Sequence, residues 1–373
     1  MILRKVWWFL KEKMWCFIKK HFWIILCVIL FGIFLIPFVK IYRGTDPDDM
    51  CMFGLDSLKD FFTLWISLFG VVGLAINIIH SQIRIRLQDK LIHQQEKQGR
   101  DNRFAKSVEL LGHNSESARM GGAYNLRFLA KEFFNEYGDC MFSILSSHIR
   151  VITSAQDYLN RFKEKPSDEI QSILDTLAEG SFKIDLTNSY LERANLEGAN
   201  LGRANLEGAN LRRADLANAC LVEAYLIEAY LEGANLKGAN LKGANLTGTN
   251  LANACLEEAR LEEANLTCAN LQRANLQGVN LKRAYLKRAY LEGANLEGAD
   301  LANACLVEAY LIEAYLKGAN LTGANLEGAN LEEVNLWGAD LRKTNFKGAI
   351  LRKVFITEEQ RELIKAAGGI FQD

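Results

Sequence analysis

Apolar and polar residues follow three successive patterns along the chain. The first is a pair of uncharged apolar runs, Phe22–Val39 (FWIILCVILFGIFLIPFV) and Phe61–Ile79 (FFTLWISLFGVVGLAINII). Each is about long enough to cross a hydrocarbon core of roughly 30 Å as a helix. From His80 to about Gly180 the apolar spacing becomes that of amphipathic helices. Ile83, Ile85, Leu87, Leu91 and Ile92 extend the second run into a charged, Gln-rich stalk that predicts a short self-associating coiled coil. Phe104–Leu111, Ala118–Phe134, Cys140–Thr153 and Asp168–Leu177 read as packed helices, the last opened by Ser167 or Asp168 as a cap after Pro166.

The third pattern runs from Ile184 to Val354 and repeats every five residues as A-(N/D)-L-x-x, with Leu186, Leu191, Leu196 and so on to Leu351, interrupted by Phe346. About thirty-four pentads follow one another, a regularity that marks a repeat array. A period of five is neither 3.6 nor 2, so a helix or a flat strand would scatter the leucines over the surface. A chain that turns a corner every five residues keeps each leucine inside a square coil. The residue two before each leucine is then the small one beside it: Ala194, Ala199, Ala204 and onward, with Ser189, Thr249, Val279, Val334 and Thr344 as variants. Asn or Asp just before the leucine can bond turn backbone. The frequent Gly just before the Ala fits a corner that needs an unhindered backbone. Four pentads per coil and roughly 4.8 Å between strands give about eight and a half coils and a rod near 40 Å long. Thr357 with Gln360 three residues on predicts a capping-box start for a closing helix, Glu358–Ala367, stopped by Gly368 and Gly369.

These pentads resemble the pentapeptide repeat family, which implies a right-handed quadrilateral β-helix. The stretch Arg103–Glu132 (RFAKSVELLGHNSESARMGGAYNLRFLAKE) resembles the helical segment that precedes the repeats in many bacterial membrane-anchored members, through Leu111, Gly112, Arg119, Gly121, Gly122 and Leu126. That resemblance implies two antiparallel helices joined by a turn, with Gly121 and Gly122 permitting close contact and Arg119 satisfying carbonyls at the end of the preceding helix. The fold expected is therefore a pentapeptide-repeat solenoid preceded by two transmembrane helices and a small helical segment. The expected organisation is a membrane anchor over residues 1–80, a helical stalk and N-terminal cap over 81–180, the β-helix over 181–356 and a C-terminal capping helix over 357–373.

Charge sets an orientation. Arg4, Lys5, Lys11, Lys13, Lys19 and Lys20 precede the first run, and Arg84, Arg86, Lys90, Lys97, Arg100 and Arg103 follow the second, whereas the connecting loop is acidic. Cations are retained on the cytoplasmic side, which places both termini and the rod inside, at a bacterial inner membrane. No small-residue cleavage site follows the first run, which reads as an anchor rather than a removed signal. The segment Ile2–Ile18, with Trp7, Trp8 and Trp15 among lysines, suits an interfacial helix or an extension of the first span.

Within the rod, acidic and basic residues nearly cancel, as they do in the whole chain, with 44 Lys plus Arg against 45 Asp plus Glu. This argues against nucleic acid as a partner and weakens a DNA-mimic role, which needs a continuous negative face. Lys282 and Arg283 lie one coil above Glu262 and Glu263, as an ion-pair ladder would. The outer surface also carries apolar side chains. ADLANACLVEAYLIEAYL occurs twice, at Ala214–Leu231 and Ala299–Leu316, placing Val222, Tyr225, Ile227 and Tyr230, then Val307, Tyr310, Ile312 and Tyr315, on the outside. Exposed Tyr with aliphatic neighbours is the chemistry of a protein-binding surface. Tyr290, stacked with Tyr310, and Trp337 join that candidate set. The copies are 85 residues apart, seventeen pentads, so the second is turned by a quarter turn, and duplication of the coding segment is the simpler account of their identity.

Candidate chemistry is sparse. Cys220, Cys255 and Cys305 fall on three different faces, the eight cysteines show no C-x-x-C, and histidine is absent from the repeats. His113 beside Asn114 and Ser115 reads as a turn residue. No nucleophile–base set, paired-carboxylate cleft or phosphate loop is present, so no enzyme activity and no cofactor is expected. The leading expectation is a membrane-anchored scaffold that presents a rigid surface to a protein partner, touches lipid through two spans and self-associates through spans or stalk. The alternatives are a DNA-mimicking protector of a type II topoisomerase and a membrane-perturbing effector whose spans oligomerise after cytoplasmic sensing.

Overall fold

The computed structural model describes Gly32 and residues 55–162, 165–178 and 184–372, with residues 55–62 described by backbone alone. The run Phe22–Val39, apart from Gly32, and the segment Ile2–Ile18 lie outside the described residues. The chain divides into two compact units, Met1–His93 and Gln94–Asp373.

Helix α1 is Leu55–Leu111. The sequence pattern continues the second apolar run into the stalk and predicts Phe104–Leu111 as a separate helix; all three form one helix. The physical reason is that no proline falls between them, so nothing forces a break. Among the described residues this is the one helix long and apolar enough to cross a membrane, with a mean hydropathy of 1.8 in its apolar window and 0% of that window buried. Leu64, Ile66, Leu68, Val71, Leu74, Ile78 and Ile79 are exposed, as are Ile83, Ile85, Leu87, Leu91 and Ile92 beyond them.

In the second unit, α2 (Glu116–Glu132), α3 (Phe134–Ser154), α4 (Gln156–Arg161) and α5 (Asp168–Ala178) form a small helical cap. A Cβ on Gly122 would meet the Ser107 carbonyl at 2.7 Å, so glycine permits the close approach of α2 to the end of α1. Gly121, expected to share that role, faces open space. Ser167 caps α5, its Oγ accepting from the Ile170 N–H at 3.3 Å. Leu126, Leu145, Ile149, Ile170, Ile173, Leu174 and Leu177 are buried in one core with the first leucines of the rod.

The rod is a four-sided coil. Residues twenty apart pair in parallel, from Asp185 with Asn205 to Asn335 with Phe355, and the leucines from Leu186 to Leu351 point inward and are buried. Corners from Ser189 to Ala329 close with an N–H from the residue three after the leucine to the leucine carbonyl, such as Ala194 to Leu191 at 3.0 Å. The residue before it has φ between about +49° and +71° in every pentad, whether glycine (Gly198, +64°) or not (Arg193, +56°). That is the position where a type II turn needs a positive φ. At every pentad with Asn or Asp before its leucine, from Asp185 to Asn345, the side-chain Oδ1 accepts the N–H of the residue after the leucine. The remaining donors enter the ladder, for example Leu191 N–H to the Asn210 carbonyl and Asn210 N–H to the Ser189 carbonyl. Buried backbone donors are thereby satisfied, as a solenoid core requires. The variant hydroxyls of Thr249 and Thr344 donate to the Leu226 and Leu321 carbonyls at 2.7 and 2.8 Å; the Ser189 hydroxyl is buried without a partner.

The first coil has no coil before it, and the cap supplies the missing acceptors. Tyr190 N–H donates to Thr153 Oγ1, Asn195 N–H to Gln171 Oε1, and Asn200 N–H to the Ala178 carbonyl. Gln171 Nε2 in turn donates to the Asn195 carbonyl, imitating a strand. At the other end, β1 (Ile350–Arg352) is followed by α6 (Glu358–Ala366), whose Thr357 and Gln360 form a reciprocal capping box. Gln360 Nε2 also donates to the Leu336 and Ala339 carbonyls, sealing the core. The chain then adds β2 (Ile370–Gln372), parallel to β1. A Cβ on Gly369 would lie 2.4 Å from Ile364 Cγ2, so glycine is what lets β2 return against α6.

Candidate interaction surface

Three side-chain rows leave the rod: the residue before each leucine and the two after it. On opposite-charge columns the corner residues pair across neighbouring coils: Arg203 with Glu223 (2.8 Å), Arg283 with Glu263 (3.7 Å), Arg288 with Glu308 (2.5 Å) and Lys353 with Glu333 (2.9 Å). The ladder foreseen for Lys282 and Arg283 forms in part. Lys282 reaches up to Asp300 at 2.9 Å instead of down to Glu262, whose Oε1 takes Arg260 and Asn280 Nδ2 and whose Oε2 is buried without a partner. Hydrogen bonding to Arg288 holds the Glu308 carboxyl below its ordinary range, and the Arg342 fork beside Asp340 lowers that carboxyl to about 2. Such exposed pairs contribute about 1 kcal/mol or less each. Their consequence is that most of the rod's charge is turned inward on itself.

Tyr230, Tyr290 and Tyr310 share one face, with Ile312 half-buried beside Tyr310. The Tyr290 and Tyr310 rings stack with centroids 5.1 Å apart and planes 4° off parallel. Tyr315 and Trp337 follow on the next face in successive coils, both more than half exposed. Val307 lies half-buried on the preceding face, which also carries Tyr225 and Ile227 several coils earlier. Val222 stands alone on the fourth face, so the first copy does not merge with the second. Tyr285 and Phe355, exposed like the others, belong to the same chemistry. Their signal was the row itself: wherever a tyrosine from Tyr225 onward replaces Asn before the leucine, an Asx bond is given up for an exposed ring. Among the described residues the backbone N–H groups of Lys287, Glu292, Ile312 and Lys317 accordingly have no acceptor. Tyr230 differs in carrying the Arg212 guanidinium over its ring, 4.7 Å from the centroid.

A buried ionic cluster in the cap was not legible from spacing. Glu169, 1% exposed, accepts from Arg119 Nε and Nη2 at 2.9 and 2.8 Å and lies 2.7 Å from His148 Nε2. Arg119 Nη1 donates to the His113 and Asn114 carbonyls at 3.0 Å, as the turn resemblance implies. Burial pushes the Glu169 carboxyl up, but bonds from His148 and Arg119 outweigh it and hold the group below its ordinary value. The cluster joins α2, α3 and α5. Among the described residues no group of three or more His, Cys, Asp or Glu is placed to hold a metal ion.

Eight copies of the pentapeptide repeat motif match between residues 189 and 357. HetL, a pentapeptide repeat protein involved in heterocyst differentiation regulation in the cyanobacterium Nostoc sp. strain PCC 7120, is 36% identical over 46% of this chain and 87% of its own, with a TM-score of 0.30. The chain belongs to the pentapeptide repeat family. Rfr23, a member from the cyanobacterium Cyanothece 51142, is 32% identical over 32% of this chain and 91% of its own, with a TM-score of 0.20. QnrB1, a plasmid-mediated fluoroquinolone resistance protein, is 17% identical over 50% of this chain and 98% of its own, with a TM-score of 0.26. Comparison with curated protein sequences returns no match. Pentapeptide repeat proteins are generally structural or interaction proteins rather than enzymes.

Proposed function

We propose that this protein is a membrane-held scaffold of a bacterial inner membrane, with its rod in the cytoplasm presenting an aromatic surface to a protein partner. The observation that supports anchoring is the unburied apolar window of α1, where Leu64, Ile66, Leu68, Val71, Leu74, Ile78 and Ile79 are exposed and need an apolar surrounding. The presenting role rests on the contrast along the rod, where charges neutralise one another while Tyr and Trp side chains stay exposed. Two spans and inside termini follow from the apolar runs and the cation distribution. The same cross-coil pairing counts against a topoisomerase-binding DNA mimic, since it interrupts any acidic face. Alkaline extraction of membranes tests anchoring: the chain stays in the pellet, and deleting residues 61–79 weakens that retention. Release of the intact chain into the supernatant overturns the reading. Crosslinking in membranes, followed by mass spectrometry of the captured protein, then identifies the partner.

A further inference from the structure

In the unbroken helix α1, Val71, Ile78, Ile85 and Ile92 recur every seven residues, and every residue from Asn77 to Gly99 is exposed. An ideal helix drifts about 20° per heptad against such a repeat, so these side chains form one continuous seam only where two helices supercoil. Taking them as the a positions of a heptad puts Arg86 and His93 at b and Lys90 and Lys97 at f, on the side away from the seam. The other exposed apolar residues of the stalk, Ile79, Ile83 and Leu87, fall on that outer side, where the basic residues break up their stripe.

The positions that flank the seam are complementary to themselves. Arg84 falls at g and Asp89 at the following e, five residues apart, which is too far round one helix for the two to pair within it. Across a parallel pair those positions face each other, so Arg84 of each copy meets Asp89 of the other. At d, Gln88 and Gln95 lie opposite their own counterparts, where side-chain amides bond only in register. The seam also has a defined end. Gly99 takes the next a position; beyond it Arg100 lies 3.4 Å from Glu136 and 4.5 Å from the Phe133 ring centroid, and Phe104 stacks on Tyr137, so the chain's own cap covers the helix there.

We propose that a second copy of this chain occupies the seam, forming a parallel two-stranded coiled coil over Ile78–Gln98, roughly 30 Å long. β-branched residues at a favour two strands. With Ser81, Gln88 and Gln95 at d the coil is weak by itself, and confinement of both copies to one membrane raises their effective concentration and makes the helices parallel. In that respect the inference rests on the membrane-held reading, to which it adds the partner of the stalk.

The test is oxidative cysteine crosslinking of the full chain in membranes, with the native cysteines replaced. Disulfide-linked dimer is expected to form at least about fivefold faster from Ile85→Cys or Gln88→Cys than from Ile83→Cys or Leu87→Cys at the outer positions. In the Ile85→Cys background, Arg84→Glu slows crosslinking about twofold or more, and adding Asp89→Arg restores it. Equal rates at all these positions, faster crosslinking at the outer ones, no slowing by Arg84→Glu or no recovery in the double exchange overturns the inference. Alkaline extraction of the same membranes separates the two failures. A chain retained in the pellet without positional preference removes the seam and leaves the anchor standing. A chain released into the supernatant removes the anchor; the seam then stands if the preference for Ile85 and Gln88 persists in the released chain and falls if it does not.

Discussion

Replacing Tyr285 with Asn is expected to stabilise the rod, because it restores a bond that every Asn-bearing pentad makes. One coil earlier on the same face, Asn265 Oδ1 accepts from the Thr267 N–H at 3.1 Å. At Tyr285 the equivalent Lys287 N–H has no acceptor among the described residues, and the ring is 56% exposed, so little packing is lost with it. A net hydrogen bond contributes about 0.5–1.5 kcal/mol, and the loss of the half-covered ring offsets part of it, leaving a gain of about 0.5–1 kcal/mol. In a solenoid the effect stays close to the altered coil. Hydrogen exchange of the full chain, read by mass spectrometry on peptides spanning residues 281–291, therefore slows about two- to fivefold in Tyr285→Asn. Tyr285→Ala is the control, since it removes the ring without adding an acceptor, and it leaves protection unchanged or lower. Equal protection in the Asn and Ala variants refutes the reasoning.

Ser189→Ala removes a buried hydroxyl without a partner and restores the residue usual at that position, raising stability by about 1 kcal/mol in denaturant unfolding. Leu281→Ala empties a fully buried site in mid-rod and lowers stability by about 3–4 kcal/mol in the same assay. Glu169→Gln leaves Arg119 and His148 without their shared carboxylate and destabilises the cap by about 2–4 kcal/mol, seen as faster exchange in α2, α3 and α5. The Glu169 carboxyl is held below its ordinary value of 4.5, so its contribution is complete above that pH and is lost as pH falls through the lower folded-state value. Acid titration of cap exchange is thus steeper in the native chain than in Glu169→Gln.

The five-residue rhythm carried most of the rod. Leucine burial, the small residue beside it, the Asx turns and the glycine corners all follow from a period that no helix or flat strand accommodates. The positive φ at Arg193 or Glu228 extends that logic, because the corner imposes its geometry even where no glycine relieves it. Arg119 was legible as a turn residue, but its bond to Glu169 spans fifty residues and belongs to no local pattern. Lys282 illustrates the same limit: it pairs with Asp300 rather than Glu262, whose free carboxylate oxygen is buried, and burial of a single oxygen leaves no mark in the repeat. The return strand Ile370–Gln372 was hidden because three residues carry no periodicity; it exists because β1 offers an unpaired edge.

The square coil itself predicts a distance that grows by one strand spacing for every twenty residues. Spin labels in place of Lys237 and Lys317, on one face and eighty residues apart, are separated by four coil rises. Electron–electron resonance on the full chain, with native cysteines replaced, is expected to give about 19 Å between the label positions, and labels on Lys237 and Glu257 about 5 Å. A distance for the first pair far from four times that of the second contradicts the stacked coil and every surface assignment built on it.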